Sequence, residues 1–167
     1  ANGVGSTIDS LDGLAGNRVA DIYVDTDGSL WFATNGGISQ YQRPEQGQKV
    51  GVRIVSVQTG VVQTQIESLQ PVTVGERVTL TYRAIDLKTS PQKRQYRIDL
   101  RTEGGRVEIA GRVTRANRLD HIFNHPGDYT FEVVAIDRDL VYSDAASLKL
   151  TVVPVWYLNG WITIPMG

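Results

Sequence analysis

The 167-residue sequence contains no cysteine, one methionine and two histidines. The absence of cysteine excludes disulfides, cysteine-ligated zinc sites and thiol nucleophiles. Seventeen Lys and Arg residues stand against 18 Asp and Glu residues, which gives a formal net charge of -1. Such a balance lacks the basic footprint that nucleic acids or anionic membrane surfaces require. Hydrophobic residues make up 41% of the chain, so composition alone predicts a globular protein with a packed core.

Long hydrophobic runs are missing as well. No uninterrupted apolar stretch approaches the roughly 20 residues that a membrane-spanning helix needs. The first residues, Ala1 to Gly5, lack the basic and apolar regions of a signal peptide. We therefore expect a soluble segment that has been processed or excised from a longer protein.

The first third of the chain has short alternating runs separated by turn residues. Strands are predicted at Arg18 to Asp25, Leu30 to Thr34 and Ile38 to Tyr41. Their connections, Asp25 to Gly28 and Asn35 to Gly37, are rich in residues that tolerate positive φ. Residues 1–42 are thus expected to form a three-stranded antiparallel meander. A sheet of this size cannot bury both faces alone and needs neighbours.

A polar segment with Pro and Gly, residues 43–49, is predicted to be a linker. From Val50 onward the period-two signal strengthens, and Val78, Leu80, Tyr82 and Ala84 alternate with polar residues. The same pattern predicts Val52, Ile54 and Ser56 on one face of a strand, and it recurs around Ile98, Phe131 and Leu150. Several short strands, each with one buried face, predict an immunoglobulin- or fibronectin III-like β-sandwich over residues 50–154.

Three stretches of the meander, Gly13 to Val19, Asp21 to Thr34 and Gly36 to Tyr41, resemble the repeat of two-component-regulator β-propellers. In such a repeat Asp25 and Gly28 set a tight turn, and Trp31 supplies an apolar wedge between blades. Gly36 and Gly37 permit the next chain reversal. A closed propeller needs several blades, so the segment resembles the last blade of a longer protein.

The second part of the chain is similar to the three-Tyr domain that follows the propeller in that family. The resemblance rests on Leu80 to Ala84, Ser90-Pro91, Gln95 to Leu100 and Pro126 to Ala135. Tyr96 and Tyr129 match two of the tyrosines that give the domain its name, and His121 replaces the third. Val153 to Tyr157 matches the Pro and Trp pair that, in the family, leads into a transmembrane helix.

No catalytic, cofactor-binding or metal-ligating residue is predicted. Asp25, Asp27 and Gly28 lack the later ligands of a calcium loop and are expected to form a hairpin turn. His121 and His125 would lie about 13 Å apart along an extended segment, too far to share one ion. The chain has no Gly-x-Ser-x-Gly elbow. Asp137 and Asp139 are expected to be solvated turn residues.

Two surface features are candidates for interactions. Arg112, Arg115 and Arg118 are expected on a solvated edge strand, where charge deters unwanted pairing, with an interface as the alternative. Trp156, Tyr157 and Trp161 lie in a tail, residues 155–167, that resembles the aromatic belt found beside a membrane. A last strand packed on the sandwich is the alternative for this tail.

The family resemblance implies a non-catalytic, extracytoplasmic or periplasmic sensor segment of a membrane signalling protein. Missing propeller blades would bind an unidentified ligand, and a sandwich that dimerises with its tail would relay the change to a cytoplasmic output domain. A rival resemblance is the turn of PKD-type modules around His121 to Phe131, which implies an adhesion or carbohydrate-binding module of a secreted protein. Neither interpretation involves nucleic acid or a cofactor.

Overall fold

The computed structural model describes residues 4–42, 50–60, 62–64, 66, 69–86 and 89–158. These residues form twelve β-strands in three sheets, joined by turns and by short 3-10 helices. The predicted all-β class is therefore confirmed. The predicted linker, residues 43–49, lies outside the described residues, as does the tail beyond residue 158.

The first sheet is an antiparallel meander in the order β1 (Val19–Val24), β2 (Leu30–Thr34) and β3 (Gly37–Tyr41). Only Phe32 among its strand residues is buried. Every residue of β1 is exposed, and Ile22, Tyr23 and Val24 present more than half of their surface to solvent. The meander thus leaves apolar side chains uncovered, as expected for a small sheet without neighbours.

The two remaining sheets pack face to face as a sandwich. One has four strands in the order β10-β7-β4-β5, and the other has five in the order β6-β12-β11-β8-β9. The four-stranded sheet comprises β4 (Gly51–Gln58), β5 (Val62–Gln63), β7 (Arg77–Ile85) and β10 (Arg118–Ile122). The five-stranded sheet comprises β6 (Val72–Thr73), β8 (Gln95–Thr102), β9 (Val107–Thr114), β11 (Gly127–Ile136) and β12 (Ala146–Val153).

The core between these sheets is built from the alternating residues of each strand. In β7 the inward positions Val78, Leu80, Tyr82 and Ala84 are buried, as the sequence pattern predicts. The largest fully buried side chains are Tyr82, Tyr129, Phe123 and Phe131. Tyr82 contacts Tyr96 edge-on, with ring centroids 4.9 Å apart. Aromatic rings therefore fill the centre of the sandwich.

In β4 the predicted alternation was wrong beyond Ile54. The pairing of β4 with β7 shifts between Ile54 and Ser56, so one additional residue is inserted there. Such a β-bulge changes which side chains face the core. Val57 is consequently buried, with 1% of its surface exposed, whereas Ser56 is only half-buried.

Strand β11 connects the two ends of the sandwich. It begins at Gly127, paired with Val152 near the end of β12, and it ends at Ile136, paired with Gln95 at the start of β8. Ten residues of strand extend about 33 Å at roughly 3.3 Å per residue. The chain leaves β12 at the Gly127 end, which we call the exit end, and the opposite end carries the contact with the first sheet.

Candidate functional site: the joint between meander and sandwich

The meander and the segment before it touch the sandwich through polar side chains, which we call the joint: Asp9, Asp12, Tyr41, Lys93, Arg138 and Asp139. On the meander side, β3 ends at Tyr41, whose hydroxyl donates a hydrogen bond of 2.6 Å to Oδ1 of Asp139. On the sandwich side, Asp139 lies in the loop that directly follows β11. The joint therefore connects the last strand of the meander to the strand that spans the sandwich.

The segment before the meander supplies the second contact. A 3-10 helix, Ser10–Asp12, is held by a capping box in which Asp9 and Asp12 each accept a backbone N–H. The same two carboxylates bind Lys93, with its Nζ 2.7 Å from Oδ2 of Asp9 and in contact with Asp12. Lys93 Nζ also donates to the carbonyl oxygen of Thr7 at 3.2 Å. The ammonium group of Lys93 thus has three partners in the segment before the meander.

Mutual attraction keeps these groups charged. The hydrogen bond from Lys93 lowers the pKa of Asp9 below its ordinary value of 3.8. Partial burial acts to raise the pKa of Asp12, but Lys93 and the backbone N–H of Asp9 outweigh it and the net pKa is lowered. Burial acts to lower the pKa of Lys93, and the two carboxylates reverse this and raise it. The ion pairs therefore exist throughout the neutral range.

Arg138 extends the joint but is loosely held. Its Nη1 lies 3.7 Å from Oδ1 of Asp12, and its Nε lies 4.0 Å from Oδ1 of Asp139. Both distances exceed that of a hydrogen bond. Nε is buried and has no hydrogen-bond partner among the described residues. The backbone N–H of Arg138 donates to Oγ1 of Thr89 at 3.1 Å, which fixes the main chain.

The loop that carries Arg138 and Asp139 is organised by a buried carboxylate. Oδ1 of Asp137 accepts the backbone N–H groups of Asp139 and Val141, both at 2.8 Å. Leu140 in this loop has a φ of 62°, which is uncommon for a residue other than glycine. Asp137 and Asp139 are only 3% and 9% exposed. The prediction that they are solvated turn residues was therefore wrong, because the Asp137 carboxylate is bound within its own loop and Asp139 lies against Tyr41 of the meander.

A cleft of about 390 Å³ lies where the three elements meet. Ser6 and Ile8 come from the N-terminal segment, Leu30 and Tyr41 from the meander, and Arg138 and Leu140 from the sandwich. In the part of the chain that the structure describes, no group of three or more His, Asp or Glu side chains is placed to hold a metal ion. The joint therefore consists of ion pairs and hydrogen bonds that connect separate modules of the chain.

The residues predicted from the propeller repeat shape the meander itself. Gly28 has a φ of 82° and donates its N–H to the carbonyl oxygen of Asp25, closing the predicted turn. Oδ2 of Asp25 also accepts Nε1–H of Trp31 at 3.2 Å. Gly37 has a φ of 134°, and a Cβ at Gly36 would lie 2.0 Å from the carbonyl oxygen of Ala15. Glycine is required at both positions.

The predicted tyrosines lie in the sandwich core. The Tyr129 hydroxyl donates to the carbonyl oxygen of His125 at 2.9 Å, and the Tyr96 hydroxyl accepts the N–H of Ala84 at 3.2 Å. A third tyrosine, Tyr82, is also buried. The sequence pattern predicts its inward position in β7, but the resemblance assigns the third family position to His121 instead. The Nε2 atom of His121 lies 2.9 Å from Oε2 of Glu108.

The predicted interaction residues are exposed or only partly described. Trp156 belongs to a 3-10 helix, Val155–Leu158, and is 67% exposed. The side chain of Tyr157 and the whole of Trp161 lie outside the described residues. Arg112 lies on the edge strand β9, and Arg118 begins β10 in the other sheet. Among the helices that the structure describes, none has the length and apolar character needed to cross a bilayer.

A three-stranded repeat joined to a fibronectin-like sandwich defines a class of all-β, multi-module proteins. Within that class, the model of the family "Two component regulator propeller" matches residues 13–36. Residues 13–36 are therefore similar to the repeat of that family, as the sequence resemblance predicts. A search of curated proteins gives no match.

Several solved structures are similar to most of the chain. The extracellular domain assigned to a hybrid two-component system of B. thetaiotaomicron is 19% identical over 78% of this chain, with a TM-score of 0.51. Another such extracellular domain, assigned to a one-component system of B. thetaiotaomicron, is 11% identical over 83% of this chain, with a TM-score of 0.47. Fibronectin(III)-like modules of Clostridium thermocellum CbhA are 16% identical over 75% of it, with a TM-score of 0.44.

The lengths of these matched proteins differ greatly from that of the chain. The chain spans 19% and 21% of the two extracellular domains and 60% of the clostridial structure. The first structure, whose TM-score exceeds 0.5, shows a shared fold over 78% of this chain.

Proposed function

We propose that this chain is a non-catalytic, extracytoplasmic segment of a membrane signalling protein, in which the sandwich relays a change from a propeller towards the membrane. The observation that carries the proposal is the joint. It connects the last strand of a propeller repeat to the loop after β11 through Tyr41 and Asp139. The ion pairs of Lys93 with Asp9 and Asp12 connect the segment before the meander to the short helix before β8. The match to the propeller repeat and the fold shared with the extracellular domain of a hybrid two-component system support the same assignment.

In this proposal the relay runs from the joint to the exit end. Movement of the meander acts on the sandwich at the joint, and β11 carries it as a rigid element over about 33 Å to the exit end. The buried aromatic core resists internal deformation, so the sandwich moves as one body. The chain then continues from the exit end into the Val155–Leu158 helix, in which Val155 and Trp156 are exposed. In the proposed parent protein this end faces the membrane.

The input site and the dimer complete the proposal. The uncovered apolar residues of β1, including Ile22 and Val24, are the surface that neighbouring blades would cover, and a ligand would bind to those blades. Two copies of the sandwich, together with their tails, would associate side by side. Ligand would then shift the equilibrium between two arrangements of the dimer through its different affinity for each.

The relay is tested in the full-length membrane protein by Lys93→Met, which removes the ammonium group and keeps a similar apolar stem. The matched control is Lys149→Met, because Lys149 also pairs with a carboxylate, 3.3 Å away on Glu103, but is remote from the joint. We expect Lys93→Met to change the basal output of the protein and Lys149→Met to leave it unaltered. Equal output from both variants, each folded by circular dichroism, would refute the relay.

The dimer is tested by sedimentation equilibrium of the chain over a wide concentration range. We expect association that weakens when residues 155–167 are removed, because the proposed interface includes Trp156 and its neighbours. A monomer at every concentration would show that the sandwich and tail do not dimerise by themselves.

A further inference from the structure

Sheet pairing brings together arginines that are distant in sequence. Arg53 on β4 lies directly opposite Arg83 on β7, and both side chains are exposed. Arg118 on β10 pairs with Thr81, so it is the diagonal neighbour of Arg83 on the same outer face. Side chains directly opposite have Cβ atoms about 5 Å apart, and diagonal neighbours about 7–8 Å. We call these three residues the arginine face.

The arginine face is poor in compensating charge. Neither Arg53 nor Arg83 forms an ion pair with any of the described residues. Asp120 is the carboxylate nearest in register, and its Oδ2 lies 3.6 Å from Nε of Arg118. Its other oxygen accepts the Thr79 hydroxyl at 2.6 Å. Directly opposed like charges destabilise a sheet, so the isolated face is electrostatically unfavourable.

Protection of a sheet edge does not require two like charges to stand directly opposite each other. Charged residues commonly protect edge strands from pairing, and β4 and β7 are both edges at this level, because β5 pairs only with Val57 and Gln58 and β10 only with residues 77–81. Edge protection would be met by charges that are not opposed, whereas these two arginines face each other on the outer face. At the end of the same face, Ile85 is 57% exposed opposite Gly51. Arginines beside an exposed apolar residue have the composition of a protein interface.

We propose that the outer face of the four-stranded sheet is a docking surface for a protein partner that presents clustered Asp or Glu side chains. Guanidinium groups bind carboxylates through two parallel hydrogen bonds, and two neighbouring carboxylates would neutralise the opposed pair. A membrane is a poorer complement, because Arg83 and Arg53 lie in the half of the sheet remote from the exit end. The overall charge of -1 disfavours nucleic acid.

The test uses the whole chain and a fluorescently labelled decaglutamate peptide, with binding followed by anisotropy at low salt. The double variant Arg53→Gln/Arg83→Gln should weaken binding roughly three- to tenfold, the scale of two exposed ion pairs. The matched control Arg97→Gln/Arg101→Gln removes the same charge from the outer face of the other sheet, where each arginine already has an acidic neighbour. It should leave binding unchanged.

If both double variants weaken decaglutamate binding equally, the effect is one of net charge and the proposal is overturned. The proposal is also overturned if the unaltered chain does not bind decaglutamate. Preferential binding to phosphatidylglycerol vesicles through Arg53 and Arg83 would also overturn it, in favour of a lipid surface.

A stability measurement gives an independent check. Arg83→Gln should raise the urea midpoint of the free chain, but not in the Arg53→Gln background, because the repulsion is then already absent. A lowered midpoint would contradict the premise of an unfavourable pair.

Discussion

Two tyrosine hydroxyls in the same core are expected to have opposite effects on stability. Tyr82 and Tyr129 are both fully buried, but the Tyr129 hydroxyl donates to the carbonyl oxygen of His125, whereas the Tyr82 hydroxyl has no hydrogen-bond partner among the described residues. Replacement of either by Phe removes one oxygen and keeps the ring. The pair therefore separates the effect of the hydrogen bond from that of packing.

The magnitudes follow from the cost of burying polar groups. An unsatisfied buried hydroxyl costs about 1–3 kcal/mol, so Tyr82→Phe should raise the free energy of unfolding by about 1 kcal/mol after some loss of packing. Tyr129→Phe should lower it by about 0.5–1.5 kcal/mol, the net value of one hydrogen bond. Urea denaturation followed by circular dichroism measures both changes. Destabilisation of similar size in the two variants would refute the reasoning, because it would show that the Tyr82 hydroxyl is satisfied.

The pH dependence of stability gives a second test of the burial of the Tyr82 hydroxyl. Burial raises the pKa of Tyr82 from 10.0 to about 12. Since the folded state holds the proton more tightly, this contribution to stability is intact below pH 10 and is lost as pH rises towards 12. Two pKa units correspond to about 2–3 kcal/mol. Tyr82→Phe should remove that part of the alkaline destabilisation, and an unchanged alkaline profile would contradict the burial argument.

Two further predictions concern the meander and the joint. Gly36→Ala should unfold or displace the meander, because the added Cβ would lie 2.0 Å from the carbonyl oxygen of Ala15. The measurement is the loss of hydrogen-exchange protection in β2 and β3. The control is Gly5→Ala, because a Cβ at Gly5 would have no atom within 4 Å. The lowered pKa values of Asp9 and Asp12 mean that the joint is stabilised above pH 3.8 and weakens as pH falls through their values in the folded protein. The chemical shifts of Lys93 should change as the two carboxylates are protonated. If those shifts stay constant until both carboxylates are fully protonated, the prediction is contradicted.

Local patterns predicted the strands well, and they failed where register or long-range contact decides the outcome. The alternation in β7 identified its buried face because each strand residue points away from its neighbour. The bulge after Ile54 could not be predicted, since it depends on pairing with β7 rather than on β4 alone. The arginine face has the same origin. Arg53 and Arg83 are thirty positions apart in the sequence, and only the register of two strands brings them together.

The joint was invisible to sequence reasoning for a related cause. Its hydrogen bond between Tyr41 and Asp139 spans 98 residues, and the contact between Asp12 and Lys93 spans 81. Solvated turn residues and buried ones have similar composition, so nothing in the sequence indicates that Asp137 and Asp139 are buried or that Asp139 contacts the meander. The turn that the sequence did predict, at Asp25 and Gly28, is specified by residues within the turn itself.

The chemistry of the joint suits a contact that has to open. The ion pairs of Lys93 contribute little net stability, because the loss of hydration of the partly or fully buried charges offsets their attraction. The sandwich, in contrast, is held by a continuous apolar core from Val50 to Val152 that does not depend on the meander. Breaking the contacts of Lys93 and Tyr41 therefore leaves the sandwich folded. A relay of the proposed kind needs two arrangements that differ by only a few kcal/mol, so that ligand binding can shift their populations. A joint of ion pairs beside a rigid core meets that requirement, whereas an apolar contact of the same extent would be too stable to separate.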